Sequence, residues 1–393
     1  MSLGPADRRM ETEILDRIEQ VSAADWNAVA GDDNPFLRHE FLAALERNAC
    51  VGPGTGWHPR HLIARRAGTI VGAMPLYEKD DSWGEFVFDW SWARAYEQSG
   101  LLYYPKLVCA IPFSPVTGSR ILVRPEDAPV RAELGAAAMD LAHDRGYSSL
   151  HVLFPLESEL ETFATAGMLR RKDCQFHWRN RGYSEFDEFL AGFSSKKRKN
   201  TRRERRKVSD AGITLERRWG GDISSQDWRQ LYELHALSFL RRGRQPYLSL
   251  GFFEEVGRTM ADSVLAVMAR DGRDMIAAAI FFAGSRQLYG RYWGCTDYYD
   301  ALHFETCYYQ GIEICIENGF RLFEPGTQGE HKISRGFEPS ATWSMHSLAE
   351  QRFHHALTPL LRQEERHVDR YIEAARSALP FKNGFVEEPG LPL

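Results

Sequence analysis

Residues 302–325 read LHFETCYYQGIEICIENGFRLFEP. Phe304, Tyr308, Ile312 and Cys315 recur at the spacing that lines one face of a helix. Gly319 follows the stripe, where a left-handed residue ends a helix. Residues 321–324 then read as a short strand closed by Pro325. Residues 130–155, VRAELGAAAMDLAHDRGYSSLHVLFP, have the same grammar. Val130, Leu134, Ala138 and Leu141 form the stripe, Gly146 ends it, and residues 148–154 read as a strand closed by Pro155.

The likeness extends upstream. Residues 61–66 and 69–77 flank Ala67-Gly68, and residues 264–270 and 275–282 flank Asp271-Gly272; each pair reads as a hairpin. Farther back, Asp25-Trp26 precedes Pro35-Phe36-Leu37 and Phe41, as Asp227-Trp228 precedes Pro246-Tyr247-Leu248 and Phe252. Three matched segments in one order predict an α/β (α+β) protein of two diverged copies. Each copy runs helix, hairpin strands, helix, strand, which a mixed sheet flanked by helices buries well. The expected boundaries are residues 11–165 and 183–347, with a charged C-terminal helical tail, 348–393, whose helix ends at Pro380.

Of 393 residues, 43% are hydrophobic and 26% charged, as in a soluble globular protein. The net charge of −5 is an average of unlike parts. Residues 196–207 hold nine basic side chains and one acid, a local +8, which leaves −13 on the rest. There is no apolar run of about 18 residues, so no membrane-spanning helix is expected. The first 20 residues lack the apolar stretch of a secretory signal. Six cysteines without C-x-x-C spacing predict free thiols in a reducing cytoplasm. His58 and His61 have no third ligand nearby, so no metal site is expected.

Several strings are compositionally unusual: Phe88-Asp89-Trp90-Ser91-Trp92, Tyr103-Tyr104-Pro105-Lys106 and Pro112-Phe113-Ser114-Pro115-Val116 in the first half. The second half carries His303-Phe304-Glu305 with Tyr308-Tyr309, Gly329-Glu330-His331-Lys332 and Arg335-Gly336-Phe337-Glu338-Pro339. Across nearly the whole chain these resemble a FemAB-related group of bacterial N-acyltransferases, often labelled peptidoglycan biosynthesis proteins and similar to the Fem-type peptidyltransferases. The resemblance implies two tandem acetyltransferase-like (GNAT) domains. It also implies a cytoplasmic enzyme moving an acyl or aminoacyl group to a small-molecule or lipid-linked amine, with no tightly bound cofactor. Acetyltransferases of this fold hold the pyrophosphate of acetyl-CoA on an R/Q-x-x-G-x-G/A loop at a helix N-terminus. That spacing is missing before residues 126 and 303, and Gly294-Cys295-Thr296-Asp297 brings an acid instead. An aminoacyl-tRNA donor is therefore expected ahead of acyl-CoA.

Acyl transfer to an amine needs a base, an anchor for the developing oxyanion and a proton for the leaving group. Residues 324–339 concentrate such groups between glycines, after a strand. His331 is the candidate base, Lys332 and Arg335 candidate anion holders, and Gln328 a further contact. Glu305 is a second candidate base or amine anchor, which the helix start alone would also explain. Tyr308, near it on the apolar stripe, is a core residue or a substrate contact. In the first half Asp89 reads as an acid inside an aromatic strand and a candidate substrate contact, with Arg94 or Lys106 as counter-ion; Lys106 is itself a candidate substrate contact, and Tyr103 and Tyr104 are candidate pocket walls or ordinary loop packing. Lys196, Lys197, Arg198, Arg202 and Arg203 are candidate contacts to an anionic ligand, whether tRNA, lipid head group or lipid-linked precursor, or a solvated helix face. Two rival functions stand beside the first. One is an acyl-CoA-dependent N-acyltransferase of a small metabolite or lipid amine; the other is a non-catalytic module that binds tRNA or an anionic membrane.

Overall fold

The computed structural model describes residues 10–327 and 329–382. The chain divides into two compact units. One holds the chain up to Asp173 together with Ala341–Asp369; the other holds Cys174–Ser340 and the chain from Arg370 onward.

In the first unit the strands are β1 (Glu11–Leu15), β2 (Trp57–Pro59), β3 (His61–Arg66), β4 (Thr69–Met74), β5 (Leu76–Lys79), β6 (Lys106–Cys109), β7 (Leu122–Val123) and β8 (Ser149–Leu153). β1, β3, β4 and β7 make an antiparallel sheet in that order. The expected strand 69–77 is cut at Pro75, which has no N–H to give a ladder. β5 thus joins another sheet, antiparallel to β2 and β6, while β8 runs parallel to β6. Helix Val130–Asp144 crosses over between β6 and β8, and its Val130, Leu134 and Ala138 enter a core with Leu62, Leu107 and Val152.

The second unit repeats this plan. β9 (Leu169–Arg179) lies partly in each unit; β10 (Thr214–Trp219), β11 (Val264–Asp271), β12 (Asp274–Ala283) and β13 (Gln287–Cys295) form an antiparallel series. A helix over residues 302–318 crosses to β14 (Leu322–Glu324), parallel to β13. Its first half opens into a wider π-helical turn, Glu305–Tyr309, a local irregularity often found at functional positions. The core is aromatic: Trp178, Phe189, Phe281, Phe323 and Phe337 pack with Tyr308 and Ile312.

The strand that completes each sheet comes from the other copy's sequence. β9 follows β8 along the chain but pairs antiparallel with β14 through Trp178 and Arg179. β15 (Glu338–Leu348) follows β14 but pairs antiparallel with β8. In that pairing His346 lies opposite His151, and their Nδ1 atoms are 2.7 Å apart. This exchange is why the compact units differ from the contiguous blocks 11–165 and 183–347. In helix Gln351–Ser377, within the expected tail, Leu357 and Leu361 pack in a core with Trp92 and Tyr96.

A fragment ending at Asp173 should therefore lack the β8 partner and unfold without a cooperative transition. Adding residues 341–369 in trans should restore one, read by circular dichroism. A fragment 11–165 that melts cooperatively alone would contradict the exchange.

Candidate functional site

The richest chemistry lies between β14 and β15 in the second unit. Here the chain makes a short helical turn, Glu330–Arg335, entered from Gly329 at φ 104° and left through Gly336 at φ 85°. A Cβ on Gly329 would lie 2.0 Å from the His331 ring, so only glycine lets that imidazole fold over its own backbone.

The turn sorts its side chains by exposure. His331 faces solvent, while Lys332 is 1% exposed and Arg335 6%. Lys332 Nζ donates to the Gly326 carbonyl at 2.5 Å. Burial pulls its pKa down to about 7, with the Arg291 guanidinium adding to the effect and Cys307 opposing it. His331 is lowered by partial burial of the ring and by the positive charges of Arg335 and Lys332. Its Nε2 lies 2.9 Å from the Tyr308 hydroxyl, carried there from the π-helical turn. Arg335 stacks on Phe304 at 3.3 Å from the ring centroid and donates to Glu204 at 2.8 and 2.9 Å. Tyr309 donates to the same carboxylate. Thus His331, Lys332, Tyr308 and Arg335 form one cluster. Gln328 lies outside the described residues.

Glu305 requires a correction. Its carboxylate is 3% exposed and receives three bonds from Arg205, at 2.9 to 3.2 Å, and one from Gln310 at 2.8 Å. An acid so occupied is a clamp on the helix, not a base for substrate.

Arg205 and Glu204 belong to the basic helix, Ser195–Asp210. Arg198, Lys199, Arg202, Arg205 and Arg206 line a groove of about 620 Å³ beside Phe186 and Leu190. They recur at helical spacing, hence on one face. Of the expected anion contacts, Arg198 and Arg202 reach this groove; Lys196, Lys197 and Arg203 do not line it, being on other faces of the helix. Lys199 and Arg206 take their place, and helical periodicity applied to the basic run would have found them. Arg202 also meets Asp187 at 2.9 Å, an exposed pair of little worth.

A second polar cluster lies in the first unit. Asp89 is not in a strand but precedes helix Trp90–Gln98, and its counter-ion is Lys106, not Arg94. Lys106 is fully buried and donates to Asp89 at 2.5 Å, Glu85 at 2.9 Å and Ser82 at 2.8 Å. Burial disfavours the Asp89 carboxylate, but the Lys106 ammonium outweighs it and holds its pKa at about 2. Tyr103 donates to Asp89 at 2.7 Å and lies 3.1 Å from His151 Nε2. Tyr104 bonds Ser82 at 2.8 Å.

The sequence profile of the FemAB-like family, described as peptidoglycan biosynthesis/recognition, matches residues 17–383. The chain belongs to that family. FemX is similar in structure at 11% identity, with a TM-score of 0.53 over 86% of this chain and 98% of that one. L-PGS from Bacillus licheniformis is similar at 11% identity, with a TM-score of 0.51 over 85% and 98%. No curated protein sequence matches the chain. The fold of this FemAB-like protein is thus one it shares with FemX and L-PGS, a mixed α/β fold in which one plan occurs twice.

Two measurements follow from the site's charges. Glu204→Ala would leave buried Arg335 without its carboxylate, a loss of about 3 kcal/mol, seen as a lower denaturant midpoint at unchanged slope. A midpoint equal to wild type would contradict the clamp. The second concerns histidines. Burial lowers His151 and His177 to about 3 and His235 and His303 to about 4, and lowers His346 as well. A histidine depressed in the folded state stabilises at neutral pH; below about 6.5 the unfolded chain takes up the proton first. Glu85, raised by burial to about 7, works the other way but alone. The melting temperature should therefore fall steadily from pH 7 to pH 5; a flat profile would contradict these burials.

Proposed function

We propose that this FemAB-like protein is an acyltransferase that moves an aminoacyl group from an ester donor to an amine. The observation that carries this reading is the turn that sets buried Lys332, whose basicity burial lowers, next to solvent-exposed His331. In the reaction the acceptor nitrogen attacks the ester carbonyl, a C–N bond forms, the C–O bond breaks, and the proton lost by nitrogen is balanced by one gained by the leaving oxygen. With His331 Nε2–H donating to Tyr308, its Nδ1 lone pair can take the acceptor's proton. Lys332 as the ammonium can hold the oxyanion and then protonate the leaving oxygen, which a pKa near 7 makes easy in either direction. Arg335 stays bound to Glu204 and positions the turn. No covalent intermediate is required.

The basic groove supports a polyphosphate donor. Arg198, Lys199, Arg202 and Arg206 present one face of charge to an anion, with Phe186 and Leu190 for an apolar edge. The missing pyrophosphate loop argues for tRNA over coenzyme A. The family's description supports a cell-envelope amine as acceptor. An aminoacyl-tRNA donor would be met in the cytoplasm, the compartment expected from the sequence. Among the described residues, no helix is long and apolar enough to cross a membrane.

The test is transfer from radiolabelled aminoacyl-tRNA to amine-bearing cell-wall precursors, with acyl-CoA donors in parallel. Lys332→Ala and His331→Ala should each lower kcat by about 100-fold or more with tRNA affinity unchanged. Arg198→Glu with Arg206→Glu should weaken tRNA binding and flatten its salt dependence instead. Turnover of acyl-CoA but not of aminoacyl-tRNA, or wild-type rates in Lys332→Ala, would overturn the proposal.

A further inference from the structure

Beyond helix Gln351–Ser377 the chain passes antiparallel beside residues 192–194 of the second unit. That three-residue link joins helix Phe186–Ala191 to the basic helix, the two walls of the groove. The Ser194 N–H donates to the Pro380 carbonyl and the Lys382 N–H to the Gly192 carbonyl, both at 2.9 Å. Phe381 stands opposite Phe193, its ring edge-on at 5.2 Å between centroids, and meets Phe189 in the same way at 6.3 Å. Two backbone bonds hold little by themselves, so the Phe381 ring is what fastens this strap.

Phe189 and Phe193, both buried, also carry the turn Glu330–Arg335. A Cβ on Gly336 would come within 2.8 Å of the Phe189 ring and 3.0 Å of the Phe193 ring, so the glycine that ends the turn sits directly on both. From there backbone bonds reach the chemistry: the Gly336 N–H donates to the Ile333 carbonyl at 3.1 Å and the Phe337 N–H to the Lys332 carbonyl at 3.2 Å. The start of the turn is held from the same stretch of chain. The Tyr371 hydroxyl donates to Glu330 Oε1 at 3.0 Å, with its ring 6.3 Å from that of Phe176.

A helical turn of six residues holds itself together poorly, and no side chain caps the N-terminus of this one. Its shape is therefore set by what it rests on. Packed interiors are stiff, so a gap opened under Gly336 is felt at Lys332. Displacing a reacting group by about 1 Å can cost about 100-fold in rate.

We propose that residues 371–382 brace the turn that carries His331 and Lys332, with Phe381 and Tyr371 as positioning residues for the transfer. This role rests on the turn being the transfer site, but one readout does not need the reaction. In the full chain with 13C-methylated lysines, the Lys332 midpoint near 7 should rise by about one unit or more in Phe381→Ala, as water reaches the amine. Phe381→Leu, which keeps an apolar contact, should return it toward wild type. Tyr371→Phe, which removes one exposed hydroxyl without risk to folding, should move it the same way by less. In the transfer assay kcat should fall about tenfold or more in Phe381→Ala and recover in Phe381→Leu. A wild-type Lys332 midpoint in both Phe381→Ala and Tyr371→Phe would overturn the brace and leave the transfer reading intact. A shifted midpoint in a chain that transfers nothing would support the brace and overturn the reaction.

Discussion

The pair in which one guanidinium nitrogen of Arg335 donates to both oxygens of Glu204 is the contact that holds the turn 330–335 in place. A guanidinium cannot shed its proton, so a buried arginine must be paired. Glu204 is the single acid in a run of nine bases, and it is spent on this one task. It joins the basic helix to the turn 330–335, with the Tyr309 hydroxyl as a third member. With Arg335 so neutralised, burial is the first influence on Lys332. A strong base becomes one that exchanges protons near pH 7.

A second ionic network keeps the basic helix from being only a patch of charge. Arg205 bonds Glu305 and Glu313, and Glu313 in turn meets Arg217. These pairs fix the inner side of the helix against the π-helical segment. Lys199, Arg202 and Arg206 remain on exposed positions along its groove. Arg205 thus anchors the same face whose Lys199, Arg202 and Arg206 stay open to solvent.

Much of this was legible in the sequence, and the failures have physical causes. Glycine turns at 67–68 and 271–272, and the helices before β8 and β14, follow from local rules of spacing and punctuation. The exchange of β9 and β15 does not, because an apolar strand carries no mark of which partner it will choose. Asp89 misled because its aromatic neighbours resemble a strand, yet they are exposed rings before a helix. Glu305 misled because an acid at a helix start has several uses, and only the distant Arg205 decides among them. Lys332 was visible as a residue type, but its lowered basicity comes first from burial and then from Arg291, neither of which local sequence shows.

Lys332 stands between its two protonation states at neutral pH. Its titration can be followed directly by reductive methylation with 13C-formaldehyde and NMR across pH 5.5 to 11, assigned with Lys332→Arg. The midpoint should fall near 7, lowered first by burial. A midpoint at the ordinary lysine value, about 10.4, would contradict it.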